Sequence, residues 1–123
     1  MQLQLKSTNF TVTEQVKSYV QEKIDPLEEL LRARKVNFSG WIELARTSKH
    51  HQSGEIYRAE IQLRIPGESL RAEGKSENIF AAIQEAKERA EREIKQHKQK
   101  IIAKDRKARR RLKDIFSNFW RKN

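Results

Sequence analysis

Hydrophobic positions along this chain alternate between a period of two and the helical period, and together they predict an order of strand, helix, three strands and helix. Gln2 to Lys6 alternates polar and apolar residues, with Leu3 and Leu5 on one side, as a half-buried strand does. Thr11 and Thr13 are each placed to cap a following helix, and Glu14 lies three residues after Thr11, the spacing of a capping box. Val16, Tyr19, Val20, Ile24 and Leu27 then recur at helical spacing and form one apolar face. Asp25-Pro26-Leu27-Glu28 interrupts this run, because proline has no N–H for the helix ladder and an aspartate before it reads as a fresh cap. A kink or restart is predicted there, with a short segment continuing to about Arg34.

Two strand signals follow. One covers about Gly40 to Arg46 and includes Trp41, Ile42 and Leu44. In the other, Ala59, Ile61, Leu63 and Ile65 alternate with Arg58, Glu60, Gln62 and Arg64, which predicts one buried and one wet face. The polar stretch from Thr47 to Gly54 connects them. Pro66-Gly67 marks a tight turn into a further strand, Ser69 to Lys75, with Leu70, Ala72 and Gly74 on its core side. The longest helix comes next, capped by Ser76 or Asn78, with Ile79, Ala82, Ile83, Ala86, Ala90 and Ile94 as a narrow apolar stripe continued weakly by Ile101. Glu85 and Arg89, Glu88 and Arg92, and Glu91 and Lys95 are four apart in the favourable order. The order β-α-β-β-β-α, with one apolar face per element, predicts an α+β two-layer sandwich: a four-stranded sheet with two helices packed on one face.

Charge changes the picture after about Lys104. The net charge is +10; residues 95–123 hold 12 Lys/Arg against 2 Asp, while residues 1–94 hold 15 charges of each sign. The whole surplus therefore sits on the last quarter of the chain. Within it, Leu112, Ile115, Phe116, Phe119 and Trp120 keep helical amphipathic spacing behind the run from Arg106 to Arg111. An α+β domain over residues 1–104 and a basic amphipathic tail over 105–123 are the expected organisation. The tail could solubilise the chain, dock on RNA or protein, fold back, or lie on an anionic membrane; its apolar patch is short, which places the membrane last.

The residue inventory argues against catalysis. There is no cysteine, so disulfides, thiolate metal sites and a cysteine nucleophile are excluded. His50 and His51 are adjacent, so in an extended segment their rings point apart, and His97 is alone. No glycine-rich phosphate loop or metalloprotease helix motif occurs. The carboxylates are interleaved with Lys and Arg at pairing distance. We therefore expect no enzyme activity, no cofactor, no metal and no small-molecule substrate. No apolar run approaches the roughly 18 residues of a membrane span. The N-terminus lacks the basic-then-apolar layout of a secretory signal, and with no disulfides a cytoplasmic location is the default expectation.

RNA binding has positive support. Arg89, Arg92, Gln96 and Lys100 fall on one stripe beside the apolar face of the long helix, with Lys87 and Lys98 on the other flank. At 1.5 Å rise per residue, Arg89 to Lys100 spans roughly 16 Å. Duplex RNA is recognised through shape, phosphates and 2′-hydroxyls, and long cations on a rigid rod suit such contacts. A solvated charged face would have the same composition, and the adjoining basic segment is what favours RNA.

Several segments, in this order, resemble the family of bacterial hibernation-promoting factors and ribosome-associated inhibitors (protein Y). Glu77-Asn78-Ile79-Phe80-Ala81-Ala82-Ile83 is similar to the family's entry to its last helix, and Leu70-Arg71-Ala72-Glu73-Gly74-Lys75 resembles its final strand and lysine. The basic run through Arg89, Arg92, Lys95, Lys98 and Lys100 follows the family's pattern. Thr47 to His51 with Tyr57-Arg58-Ala59-Glu60, and the first helix with Lys17 and Lys23, are also similar to family members. The match covers about residues 1–100. The resemblance implies a fold related to double-stranded-RNA-binding domains, and a protein that occupies the decoding channel of the small ribosomal subunit over the messenger and tRNA sites. It implies that Lys75, Arg89, Arg92, Lys95, Lys98 and Lys100 meet ribosomal RNA phosphates, with Lys23 in support.

Two departures go with it. Pro26 stands where the family's first helix commonly has a basic residue, and the family's separate C-terminal dimerisation domain has no counterpart, so a short form is expected. Whether such a form promotes or prevents ribosome pairing is left open by these residues. The alternative function is a general structured-RNA-binding or chaperone protein without a defined ribosomal site. A third, modulation of a sigma factor, attaches to the family's older name rather than to any residue.

Overall fold

The computed structural model describes residues 1–48 and 55–97. Two compact units divide the chain, Met1–Glu93 and Ile94–Asn123. In the first, β1 (Gln4–Thr8), α1 (Glu14–Ala33), β2 (Ser39–Ser48), β3 (Glu55–Ile65) and β4 (Glu68–Ser76) are followed by a second helix, α2, over residues 79–93. Residues 94–97, the described part of the second unit, are also helical. The proposed boundary near 104, the tail, His50 and His51 lie outside the described residues.

The sheet order is β1-β2-β3-β4, with β1 parallel to β2 and the remaining pairs antiparallel. Side chains alternate across a strand, so register sorts them into two faces. Ile42, Ile61 and Ala72 align across three strands, as do Leu44, Ala59 and Gly74. These residues meet the apolar stripes of both helices, and Val20, Ile24, Leu27, Ile42, Leu44, Ile61, Leu63, Ala82, Ile83 and Ala86 are all buried. Tyr19 of α1 and Phe80 of α2 meet edge to face at 5.0 Å. The predicted two-layer β-α-β-β-β-α architecture is the one observed.

Two details differ from the sequence expectation, and two choices it left between neighbouring caps are decided. The first strand starts at Gln4 rather than Gln2, because the backbone N–H groups of Gln2 and Leu3 are given to the buried carboxylate of Glu28 on α1 instead of to a neighbouring strand. Of the two candidate caps, Thr13 is used: its hydroxyl accepts from the Val16 N–H at 3.2 Å, and the helix begins at Glu14. Asn78 takes that role on α2, accepting from the Phe80 N–H at 2.8 Å, while Ser76 braces the preceding turn through the Asn78 N–H. Lastly, α1 runs through Pro26 without restarting. Pro26 itself is exposed, and Ile24, Leu27 and Leu31 on either side are buried. Their burial stabilises by about 1.5–3 kcal/mol each and outweighs the missing hydrogen bond.

Beyond Arg34, Lys35 adopts φ 55°, and the Lys35 and Val36 N–H groups close on the carbonyls of Arg32 and Leu31. This is a Schellman stop built without glycine. It turns the chain back into β2, where Gly40 crosses so close to β3 that a Cβ would lie 1.9 Å from the Gln62 carbonyl oxygen.

Candidate nucleic-acid interface

The face of the sheet away from the helices carries the charge. Register places Lys6, Glu43, Glu60 and Glu73 in one row across the four strands. Three neighbouring carboxylates repel one another and persist only when cations lie between them. Arg58 supplies the first: its guanidinium is 2.9 Å from Glu43, 3.0 Å from Glu60 and 3.6 Å from Glu73. Arg71 supplies the second, 3.1 Å from Glu60 and 3.6 Å from Glu73. Beside this network the Lys6 ammonium lies 4.4 Å from the centre of the half-buried Trp41 ring.

Glu60 is the anchor, only 5% exposed. Burial pushes its carboxyl pKa up, but hydrogen bonds from Gln62 and Arg71 and the charges of Arg71 and Arg58 together outweigh that and hold it below the ordinary value of 4.5. A carboxyl whose pKa is lowered by folding stabilises the fold above the unfolded value, and that contribution is lost as the pH falls through the lowered one. Thermal melts from neutral pH to below 4.5 should show Glu60→Gln starting less stable and losing less on acidification. Parallel curves would mean that Glu60 carries no such linkage.

At the edge of the sheet, Arg71, Ala72, Glu73, Arg89, Arg92 and Glu93 line an open groove between β4 and α2. Arg89 is fixed there: Nη1 donates to the Glu73 backbone carbonyl at 2.9 Å and Nη2 pairs with Glu85 at 2.8 Å. Its contact covers an edge carbonyl of β4. Arg92 makes no ion pair or hydrogen bond among the described residues. The expected Glu88–Arg92 pair does not form, because Glu88 accepts from Gln84 one turn earlier. Three guanidiniums around an open polar groove can seat phosphate or carboxylate groups through paired N–H donors.

The predicted site residues therefore separate. Arg89 and Arg92 share the groove. Lys75 stands on the open sheet face, 3.3 Å from Glu73. Lys23 and Lys87 belong to the opposite flank: the Lys23 ammonium is 5.3 Å from the Tyr19 ring centre, and Lys87, on the same stripe as Phe80, pairs with Glu91 at 3.0 Å. Lys95 is exposed in the second unit, and Lys98 and Lys100 lie outside the described residues. Arg71 and Arg58 escaped the sequence reading as site residues. The alternation Arg71, Glu73, Lys75 along β4 was the available signal, since it puts all three on one face.

Comparisons with known proteins agree with this architecture. The chain is 31% identical over 103 residues to the ribosome hibernation promotion factor of Deinococcus radiodurans, a match that takes in 80% of this chain and 50% of that protein. The chain thus spans about half the length of that curated relative. A crystal structure of the Thermus thermophilus protein Y N-terminal domain superposes with a TM-score of 0.63 at 28% identity, covering 79% of this chain and 99% of that one. A ribosomal subunit interface protein from Coxiella burnetii, 12% identical, has the same fold with a TM-score of 0.62 over 80% of this chain and 98% of its own. Residues 3–102 match the family described as sigma 54 modulation protein / S30EA ribosomal protein. With that match over most of its length and its fold order, the chain belongs to the sigma 54 modulation protein / S30EA ribosomal protein family.

Proposed function

We propose that this protein is a ribosome-binding translation inhibitor that acts by occupancy: it lays its cationic groove on ribosomal RNA in the decoding channel of the small subunit and blocks the messenger and tRNA sites. The observation that carries this reading is the meeting of Arg71, Arg89 and Arg92 in one open groove. Similarity to a hibernation promotion factor and to protein Y supplies the ribosome as the polyanion. No bond is made or broken in such a mechanism, so no catalytic residue, cofactor or metal is invoked. Lys75 extends the cationic surface onto the sheet, and Lys23, Lys87, Lys95, Lys98 and Lys100 are further candidate phosphate contacts on the helices and beyond. A cytoplasmic location accompanies this reading, and the 105–123 tail is proposed as a separate modifying element.

Sedimentation of the intact chain with vacant ribosomes over a salt series tests it. Arg92→Glu is the cleanest variant, because Arg92 has no partner among the described residues to lose, whereas Arg89→Glu would also uncover the β4 edge. We expect saturable one-to-one binding, at least tenfold weaker in Arg92→Glu, with the salt slope shallower by about one for each phosphate left without its cation. Footprinting should place the protected nucleotides at the decoding centre of the small subunit. Protection elsewhere overturns the location, and binding that does not saturate favours a general RNA-binding protein.

A further inference from the structure

We propose that Glu73 sets the affinity and selectivity of the RNA interface: its carboxylate sits as an internal substitute for a phosphate among Lys75, Arg71 and Arg58, and RNA binds by displacing it. This rests on the reading of the cationic surface given above.

Glu73 is the point at which the open sheet face and the groove meet. One carboxylate oxygen is 3.3 Å from the Lys75 ammonium, and the other is 3.6 Å from both Arg58 and Arg71. Its backbone carbonyl receives Arg89. The two carboxylates that share these arginines are held differently. Glu60 has contacts of 3.0–3.1 Å and is nearly sealed from solvent. The Glu73 ion pairs, at 3.3–3.6 Å, are longer than those of Glu60, and its side chain is 27% exposed. Glu60 is therefore structural and Glu73 displaceable. Arg58 stays anchored by Glu43 and Glu60 in either state, and Arg71 keeps Glu60. Lys75 has no other ion-pair partner among the described residues and is 64% exposed, so it is the cation that displacement frees most.

A device of this kind trades affinity for selectivity. A phosphate that reaches Lys75 must outcompete the tethered Glu73 carboxylate, so an isolated or badly placed phosphate gains little there. A rigid RNA surface presenting several phosphates at the right spacing gains from Arg71, Lys75, Arg89 and Arg92 together. Glu73 is a positioning residue in the free protein and a competitor in the complex.

Glu73→Gln in the intact chain tests the proposal, with thermal unfolding to check the fold and binding to vacant ribosomes read over a salt series. Glu29→Gln, on the exposed face of α1, changes the net charge equally away from the interface and is the control. We expect Glu73→Gln to bind about three- to tenfold tighter, with a salt slope steeper by roughly 0.7–0.9, the value of one added phosphate contact, and Glu29→Gln to stay within twofold of wild type. In a Lys75→Gln background the gain from Glu73→Gln should largely vanish. Equal gains from both charge removals, no gain, or a gain undiminished without Lys75 would overturn the role of Glu73. Failure of Arg92→Glu to weaken binding counts separately against the RNA reading of the groove. Competition with an unstructured polyanion completes the test: Glu73→Gln should bind heparin more tightly by a larger factor than it binds ribosomes, and the reverse order would remove the selectivity claim.

Discussion

Gly74→Ala is expected to destabilise the folded domain by about 3–5 kcal/mol, an unusually large effect for one added methyl group. Gly74 lies on β4 under α2 with ordinary strand backbone, so the reason is space rather than conformation. A Cβ there would lie 2.2 Å from the Ala82 carbonyl oxygen, 2.8 Å from the Ala86 nitrogen and 3.0 Å from the Glu85 Cβ. The first two are helix backbone and cannot rotate away. The helix has to rise off the sheet, and the close packing of Ala82, Ile83 and Ala86 opens with it. The same shift pulls Arg89 away from the Glu73 carbonyl and widens the groove. Denaturant unfolding gives the stability loss. Ribosome binding at a temperature where the variant remains folded should still be weakened, because the arginine spacing has changed. A loss under about 1 kcal/mol would mean that α2 slides on β4 easily, and that the groove is less rigid than its contacts indicate.

Glu28→Ala should cost about 2–4 kcal/mol. Glu28 is 1% exposed and does not line the cationic groove. Both carboxylate oxygens accept from the Gln2 N–H, at 2.9 and 3.0 Å, the Leu3 N–H lies 3.5 Å from one of them, and Arg32 one turn on closes the other at 3.0 Å. Removing the carboxylate strands backbone donors that have no strand to pair with and leaves a void beside Leu3. Arg32 is half-exposed, so Arg32→Ala should cost well under 1 kcal/mol; the backbone clamp carries most of the effect. Amide exchange at Gln2 and Leu3 should accelerate in Glu28→Ala more than exchange in β3. Equal acceleration throughout would indicate global destabilisation without a local clamp.

The order of elements and their buried faces were legible because they depend on local periodicity. The alternation from Ala59 to Ile65 and the stripe Ile79, Ala82, Ile83, Ala86, Ala90 lie where they were expected, and all nine of these named apolar positions are buried. Turn and cap chemistry was legible to within a choice: Thr11 or Thr13, Ser76 or Asn78. Backbone geometry made those choices, since a cap must be extended while its carbonyl already begins the helix. The restart at Pro26 does not occur, because a local rule about proline gives no weight to the apolar residues on either side, which tertiary packing holds in one helix.

The site was legible only in part, for a related reason. Helical spacing put Arg89 and Arg92 on one stripe, but it could not tell that Glu85 would hold Arg89 while Glu88 turned to Gln84 and left Arg92 free of partners among the described residues. Nor could it bring Arg71 to them, or place Lys23 of α1 on the far flank to which spacing had already assigned Lys87. By itself the sequence determined six amphipathic elements, their order and an Arg89–Arg92 stripe on the last helix. The tertiary structure alone decided which cations stand together and which carboxylate restrains them. Glu28 reaches Gln2 across 26 residues, and Arg58, Glu43 and Glu73 meet through strand register. Charges act through distance in space, and only pairing and packing set those distances.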